Sequence, residues 1–303
     1  MFDVITFGSA VVDVFVDTDI AEKGKFMAYP VGSKILLKNL KFDIGGGGTN
    51  TAVAFSRLGF KTGYIGKIGN DLDGKEIRKI LEKEKIKFLG KIEEKGASGY
   101  SIILDSKENN RTILTFKGVN NELGFSELKL RKLNTRWLFL TSLLGESFKT
   151  QKKFVTYLSI RGTKIAFNPS EYLIKRMDLK PLLKFCEILI LNKEEAQLLL
   201  KKFRVREKDL AKGLYSLGPK IVVITDRNKK IIAYDGGKKY FLKPHNVKVV
   251  ERTGAGDAFA SGFVAGQMAG KSVEQSLKLG LRESESVVKY FGAKNKLLRM
   301  NLR

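Results

Sequence analysis

The sequence predicts an α/β fold built on a doubly wound, mostly parallel sheet with helices on both faces. Two observations carry that prediction. Strand-like and helix-like runs alternate along most of the chain, the pattern of a parallel sheet whose crossover helices cover it. The strand-like runs are also short, apolar and bounded by helices, which suits a sheet that binds ligands at the carboxyl ends of its strands. At 303 residues and 43% hydrophobic content the chain fits one large domain, 1–303. No linker, low-complexity tract or internal repeat divides it.

In order, the pattern predicts strand 4–8, helix 51–58, strand 63–68 and helix 74–83. Strand 137–141, helix 149–159 and strand 164–167 follow, then strand 187–191, helices 193–202 and 207–217, and strand 220–225. Valine content predicts strand 247–250, helix 258–269 ends at Gly270, and a last helix covers 272–290. Four further runs, 11–16, 33–42, 98–105 and 111–117, are strand-like, and most of them lack a prompt helix. By pattern alone they read as an antiparallel extension of the sheet.

The most informative stretch is Thr253-Gly254-Ala255-Gly256-Asp257, at the start of a helix. A Gly-Ala-Gly turn there leaves backbone N–H groups bare, lets an anion approach closely, and sits at the positive end of the helix dipole. A carboxylate in that turn would repel a phosphate. Asp257 makes sense if it takes a proton from a hydroxyl attacking the phosphoryl group held there. A glycine turn followed by an ordinary acidic first-turn residue is the plainer alternative.

A second motif, Gly45-Gly46-Gly47-Gly48-Thr49-Asn50, also runs into an apolar helix. Four glycines in a row cost backbone entropy and are tolerable where the chain passes close to a ligand. Asn50 then presents an amide suited to sugar hydroxyls.

Together these motifs resemble the ribokinase-like carbohydrate kinases, the PfkB family, and the resemblance covers nearly the whole chain in the family's motif order. Gly8-Ser9 with Asp13 is similar to the family's first strand. Gly69-Asn70-Asp71 with Gly74 is similar to its Gly-x-Asp-x-x-Gly turn, Asn192-Lys193-Glu194-Glu195 to its Asn-x-x-Glu motif, and Thr253 to Asp257 to its C-terminal motif. The resemblance implies a small β lid over the substrate, at about 11–42 and 98–118, that supports a homodimer.

It also implies roles. Asp257 would be the catalytic base, with the N–H groups of Gly254, Ala255 and Gly256 as its anion hole. Asp13, Gly46, Gly47 and Asn50 would hold the acceptor. Asn192, Glu195, Thr225, Arg227, Thr253 and Gly256 would face ATP, and Asn192 and Glu195 would lie near Mg²⁺ through water. A general base is usually worth about 10²–10⁴-fold in rate. Read alone, Asn192 and Glu195 are better taken as a helix capping box, and the glycine motifs tip the reading toward the ligand.

The chain departs from the family in places. Glu251-Arg252 stands where the family commonly has Asp-Thr, which puts a monovalent-cation site in question. Lys296, near Gly292-Ala293, is a candidate for a fixed positive charge in its stead. The stretch from Asp226 to Lys230 lacks the family's glycines beside the nucleotide.

Composition narrows the rest. Fifty-six Lys and Arg against 32 Asp and Glu give a net charge of +24, yet the basic residues are dispersed among Glu at helical spacing. That reads as a solvated lysine-rich surface and argues against nucleic acid as a partner. One cysteine, Cys186, and one histidine, His245, exclude internal disulfides and a His/Cys metal cluster. No apolar run is long enough to span a bilayer, and the chain opens in a strand pattern, so a soluble cytoplasmic protein with no membrane partner is expected.

The leading functional reading is an ATP- and magnesium-dependent kinase acting on a hydroxyl of a small sugar, ribokinase- or fructokinase-like. A nucleoside kinase or a sugar-phosphate kinase of the same fold is the alternative. A non-catalytic basic protein that binds polyanions is the reading from another class, and Asp257, the Gly-Ala-Gly turn and Asn50 argue against it.

Overall fold

The computed structural model describes residues 1–303 apart from Asn109 and Asn228. The first half of the chain contains β1 (Phe2–Phe7), β2 (Val11–Asp17), the short pair β3 (Glu22–Lys23) and β4 (Phe26–Met27), β5 (Asn39–Gly45) and α1 (Gly47–Arg57). β6 (Thr62–Ile65), β7 (Lys67–Gly69), α2 (Leu72–Lys83), β8 (Lys87–Phe88), β9 (Lys91–Glu93), β10 (Gly99–Asp105) and β11 (Arg111–Phe116) follow. The second half begins with β12 (Thr135–Thr141), α3 (Gly145–Ser159), β13 (Lys164–Asn168), α4 (Glu171–Arg176), α5 (Lys180–Leu183) and β14 (Cys186–Asn192). It ends with α6 (Lys193–Lys202), α7 (Leu210–Tyr215), β15 (Ile221–Asp226), β16 (Lys230–Tyr234), β17 (Lys239–Leu242), α8 (Ala255–Met268) and α9 (Val273–Val287).

The main sheet has the order β17-β16-β15-β14-β13-β12-β1-β6-β8. It is parallel from β15 to β8, and β16 and β17 add an antiparallel edge. The chain steps outward from β1 in both directions, to β6 and β8 on one side and from β12 to β15 on the other. The crevice between β1 and β12 is therefore the topological switch point, where such sheets bind ligands.

Strand residues alternate between two apolar layers. Ile5, Leu138, Leu140 and Phe167 pack with Phe154, Leu158 and Leu199 on one face. Val4, Phe139, Ile188 and Val223 pack with Phe55, Phe263 and Leu277 on the other. Each such side chain contributes about 1.5–3 kcal/mol by leaving water.

A separate four-stranded sheet, in the order β11-β10-β2-β5, corrects the reading by pattern alone: the four strand-like runs pair among themselves, as the resemblance implied, and do not extend the main sheet. Its two faces differ by the two-residue period of a strand. Val11, Asp13, Ser101, Ile103, Ile113 and Thr115 line a cleft against the main sheet. Val12, Val14 and Val16 form the opposite face with Ile44, Tyr100, Ile102 and Leu104.

Four local expectations change. The 247–250 stretch is not a strand: it finds no strand to pair with, and Val249 and Val250 are exposed. Only the end of the 33–42 run is extended, starting at Asn39. The 63–68 run breaks at Gly66 into strands of different sheets, where a Cβ would stand 2.0 Å from the Tyr64 hydroxyl. Helix α1 begins at Gly47, inside the glycine run, so glycines supply its first turn. Among the described residues no helix is long and apolar enough to cross a membrane.

Candidate active site

Helix α8 starts where the sequence places the anion hole. Its N-cap, Gly254, is left-handed at φ 78°, and a Cβ there would stand 2.5 Å from Cβ of Ala293, so only glycine fits. A Cβ on Gly256 would meet nothing, so that side of the turn is open. The N–H of Ala255 donates to the Arg252 carbonyl at 3.3 Å. The expectation that Ala255 lends its N–H to an anion is therefore corrected, because the turn has already used it. The N–H groups of Gly254, Gly256 and Asp257 have no partner among the described residues and are the ones left free to meet an anion.

Asp257 lies in the first turn of α8, half-buried in a cleft of about 510 Å³ between the main sheet and the lid. Burial raises its pKa above the ordinary carboxylate value, opposed by a hydrogen bond from Asn50 and by the charge of Lys294. Asn50 Nδ2 donates to Asp257 Oδ2 at 2.8 Å. The amide thus meets the carboxylate across 207 residues of sequence, where the sequence reading had it facing only the acceptor.

Lys294 escaped the sequence reading. It is buried at 4% exposure, and its Nζ donates to Asn50 Oδ1 at 2.6 Å and to the Ile44 carbonyl. Asp43, Asp13 and Asp257 surround it. The sequence signal was Lys294 itself, directly after Gly292-Ala293. The candidate chosen there, Lys296, is exposed, with its ammonium 5.4 Å from the centre of the Tyr290 ring. A side chain two residues farther along this irregular segment faces solvent and cannot act as the fixed charge.

Asp13 projects from β2 into the cleft at 7% exposure. Burial is the main cause that raises its pKa to about 6, offset in part by Lys294. The glycine run makes room for this carboxylate as well as for ligand. A Cβ on Gly45 would stand 1.8 Å from Asp13 Oδ2, and one on Gly46, at φ 94°, would stand 2.5 Å from the Ser9 carbonyl. The premise that the glycines serve only ligand approach is thereby corrected: Gly46 and Gly47 line the cleft, but the run also packs directly on neighbouring chain. Lys117, at the end of the lid strand, also lines the cleft, with its ammonium 4.9 Å from the centre of the Tyr172 ring.

Elsewhere in the cleft, Asn192 caps α6 and forms a reciprocal box with Glu195. Asn192 Oδ1 accepts from the Glu195 N–H, and Glu195 Oε2 accepts from the Asn192 N–H, both at 2.8 Å. The capping reading thus holds, and both residues line the cleft as well. Burial raises the Glu195 pKa to about 7. Among the described residues no group of three or more His, Cys, Asp or Glu is placed to hold a metal ion. Asn192 and Glu195 bring two oxygen-bearing side chains to the cleft wall, the kind of donor atom that magnesium takes.

Thr225 and Thr253 line the same cleft. Arg227 does not: it is exposed, with its guanidinium 3.7 Å from Glu194. Asn228, in the stretch expected to lie beside the nucleotide, lies outside the described residues. Glu251 is held by Arg111 of the lid and by the N–H groups of Arg252 and Thr253. His245 pairs with Glu285, its Nδ1 3.0 Å from the carboxylate.

This topology, with its cleft at the switch point and a carboxylate beside free helix N–H groups, defines an α/β kinase of small molecules. The chain belongs to the PfkB family of carbohydrate kinases, whose family model, pfkB family carbohydrate kinase, matches residues 1–299. An uncharacterized sugar kinase of Archaeoglobus fulgidus is 30% identical over 82% of this chain and 99% of its own length. A cytidine kinase of Thermococcus kodakarensis is 26% identical over 96% of this chain and 98% of its own. The solved ribokinase of Cryptococcus neoformans, in complex with ADP, superposes with a TM-score of 0.80 at 25% identity, over 99% of this chain and 98% of that one.

Proposed function

We propose that this kinase transfers a phosphoryl group from ATP, with magnesium, to a hydroxyl of a small sugar. One observation carries the reading: Asp257 is held by Asn50 at 2.8 Å beside N–H groups that have no partner among the described residues. A base and an anion hole within one helical turn suit in-line attack on a phosphoryl group, which needs positioning and charge neutralisation more than covalent chemistry.

In this account Asp13 and Gly47 hold the acceptor, and Asp257 takes the proton from its attacking hydroxyl. Its raised pKa brings it nearer the operating pH, where a general base is most effective. The N–H groups of Gly254, Gly256 and Asp257 hold charge on the transferring group, each donor typically worth about 10²–10³-fold. Asn192 and Glu195 lie where bound magnesium would neutralise nucleotide oxygens. Thr225 and Thr253 line the nucleotide side of the cleft.

The polar lining of the acceptor end, Ser9, Asp13, Ser101, Thr115 and Asn168, supports a hydroxyl-rich acceptor. A nucleoside is the second reading, favoured by the apolar wall of Val11, Ile103 and Ile113 and by the likeness to a cytidine kinase. Turnover of ATP against panels of sugars, sugar phosphates and nucleosides decides it. Preference for neutral sugars is the expected result, and preference for nucleosides would replace the reading. Preference for sugar phosphates would turn attention to Lys117.

The same reading includes one domain over 1–303, a reducing cytoplasmic setting that the buried Cys186 thiol suits, and a homodimer through the lid. Supporting the dimer, Leu40, Phe42, Leu114 and Phe116 are exposed on the outer lid sheet, where a second copy would cover them. Light scattering of the wild type and of Phe42→Asp tests this, with a dimer and a monomer expected. The +24 charge remains a surface property in this account. Tight polyanion binding at moderate salt would contradict that.

A further inference from the structure

β11 turns one row of side chains toward the acceptor. Ile113 and Thr115 line the cleft, as does Lys117 just beyond the strand. Arg111 belongs to the same row by the two-residue period. Its Nη1 donates to Thr253 Oγ1 at 2.7 Å and to Glu251 Oε1. Glu251 Oε1 in turn accepts from the N–H groups of Arg252 and Thr253, at 2.7 and 2.8 Å, and from the Thr253 hydroxyl at 2.9 Å. The guanidinium is thus the outer end of a clamp on the three residues that lead into Gly254. The two ends of the clamp are 140 residues apart in sequence, one on the lid and one at the foot of α8.

We propose that Arg111 is a positioning residue through which the lid completes the anion hole, so that the hole holds its working shape only while the lid lies over the acceptor. An acceptor pressing on Ile113 and Thr115 fixes the strand, and the strand fixes a guanidinium two residues away. The guanidinium fixes Glu251, and Glu251 fixes the turn that carries the free N–H groups. Acceptor binding and anion-hole assembly become one event, which withholds the hole from water attack on the nucleotide when no acceptor is present. The same geometry answers the question of a monovalent cation. The Glu251 oxygen already holds a fixed positive charge and three further donors, a set that does not fit an exchangeable ion at that oxygen.

The inference rests on reading Gly254, Gly256 and Asp257 as the anion hole, so Asp257→Asn is assayed alongside. Arg111→Met, Glu251→Gln and the double variant are compared for steady-state turnover and thermal melting, with Arg111→Lys as the conservative change. Arg111→Met and Glu251→Gln should each lower kcat by about 5–150-fold, the usual range of coupling between sites. The Michaelis constant for ATP should hardly move, and the double variant should be no worse than the poorer single. Added guanidinium ion should restore part of the Arg111→Met turnover and none of the Glu251→Gln loss. Arg111→Lys should lie in between, since it keeps the charge but its shorter side chain carries the ammonium less far toward the two oxygens that Nη1 reaches. Wild-type turnover should be unchanged when potassium is replaced by tetramethylammonium at constant ionic strength.

Additive losses in the double variant, a loss confined to the acceptor's Michaelis constant, or strong potassium activation of the wild type would each overturn the proposal. Near-normal turnover of Asp257→Asn would instead remove the anion-hole reading beneath it, whatever Arg111 does.

Discussion

Lys294 and Asn50 meet at 2.6 Å, ammonium to amide oxygen, and this contact decides which way the Asn50 amide faces. With Oδ1 on Lys294, Nδ2 is directed to Asp257. A buried cation thereby orients the residue that orients the base. Arg57 anchors the backbone behind it, donating through Nη1 to the Lys294 carbonyl at 2.6 Å.

Lys294→Met removes the charge and frees the amide to flip. Turnover should fall by up to about 10²-fold, the cost of a small misplacement near the reacting atoms. The pH profile should also move. Burial raises the Asp257 pKa and Lys294 opposes it, as Asn50 does. Around Lys294 stand Asp13, Asp43, Asp257 and Arg57, and Asp13, which the ammonium also holds down, would move in the same direction as Asp257. Without the ammonium Asp257 takes its proton at higher pH, so the acid limb of kcat/KM should shift upward. An unmoved or downward-shifted limb would contradict the arrangement.

The glycine run separates packing from binding. Gly46→Ala places a side chain at φ 94° and 2.5 Å from the Ser9 carbonyl, so it should cost stability, about 1–3 kcal/mol from backbone strain alone. Gly47 is helical, and its Cβ would meet only the Thr141 side chain, at 3.0 Å. Gly47→Ala should fold and raise the acceptor's Michaelis constant more than that of ATP. Denaturant unfolding and steady-state kinetics on the pair check both statements.

Glu283 on α9 gives stability a pH dependence remote from the cleft. It is fully buried, its Oε1 has no partner among the described residues, and Oε2 accepts from the Leu298 N–H at 3.2 Å. Burial raises its pKa to about 7 from an ordinary 4.5. Between those values the folded chain binds the proton that the unfolded chain releases. Its contribution is therefore greatest below pH 4.5 and falls as pH rises to about 7, by up to about 3 kcal/mol. Glu283→Gln should flatten Tm against pH over that window. A variant curve parallel to the wild type would show that Glu283 does not titrate there.

Much of this was legible in the chain. Continuous apolar strands between helices specified the parallel sheet, and the two glycine turns at helix starts both came to line the cleft. What escaped was contact between distant segments. Nothing in 111–117 announces that Arg111 reaches Glu251, because strand periodicity gives a face and not a partner. Lys294 and Lys296 differ by two positions in an irregular segment, where no period says which one turns inward. The four-glycine run read as ligand space, since the neighbours that require it, Asp13, Ser9 and Thr141, come from distant parts of the chain. The 247–250 valines show propensity without pairing, and a strand needs the second.

The central claim is that Asp257 is the base, and turnover of Asp257→Asn against its nucleotide binding tests it most directly. The variant keeps the size of the side chain and its place beside Asn50, so the fold and ATP affinity should persist. Turnover should fall by about 10²–10⁴-fold, the usual worth of a general base. Near-normal turnover with intact nucleotide binding would contradict the account and move the proton's destination elsewhere in the cleft.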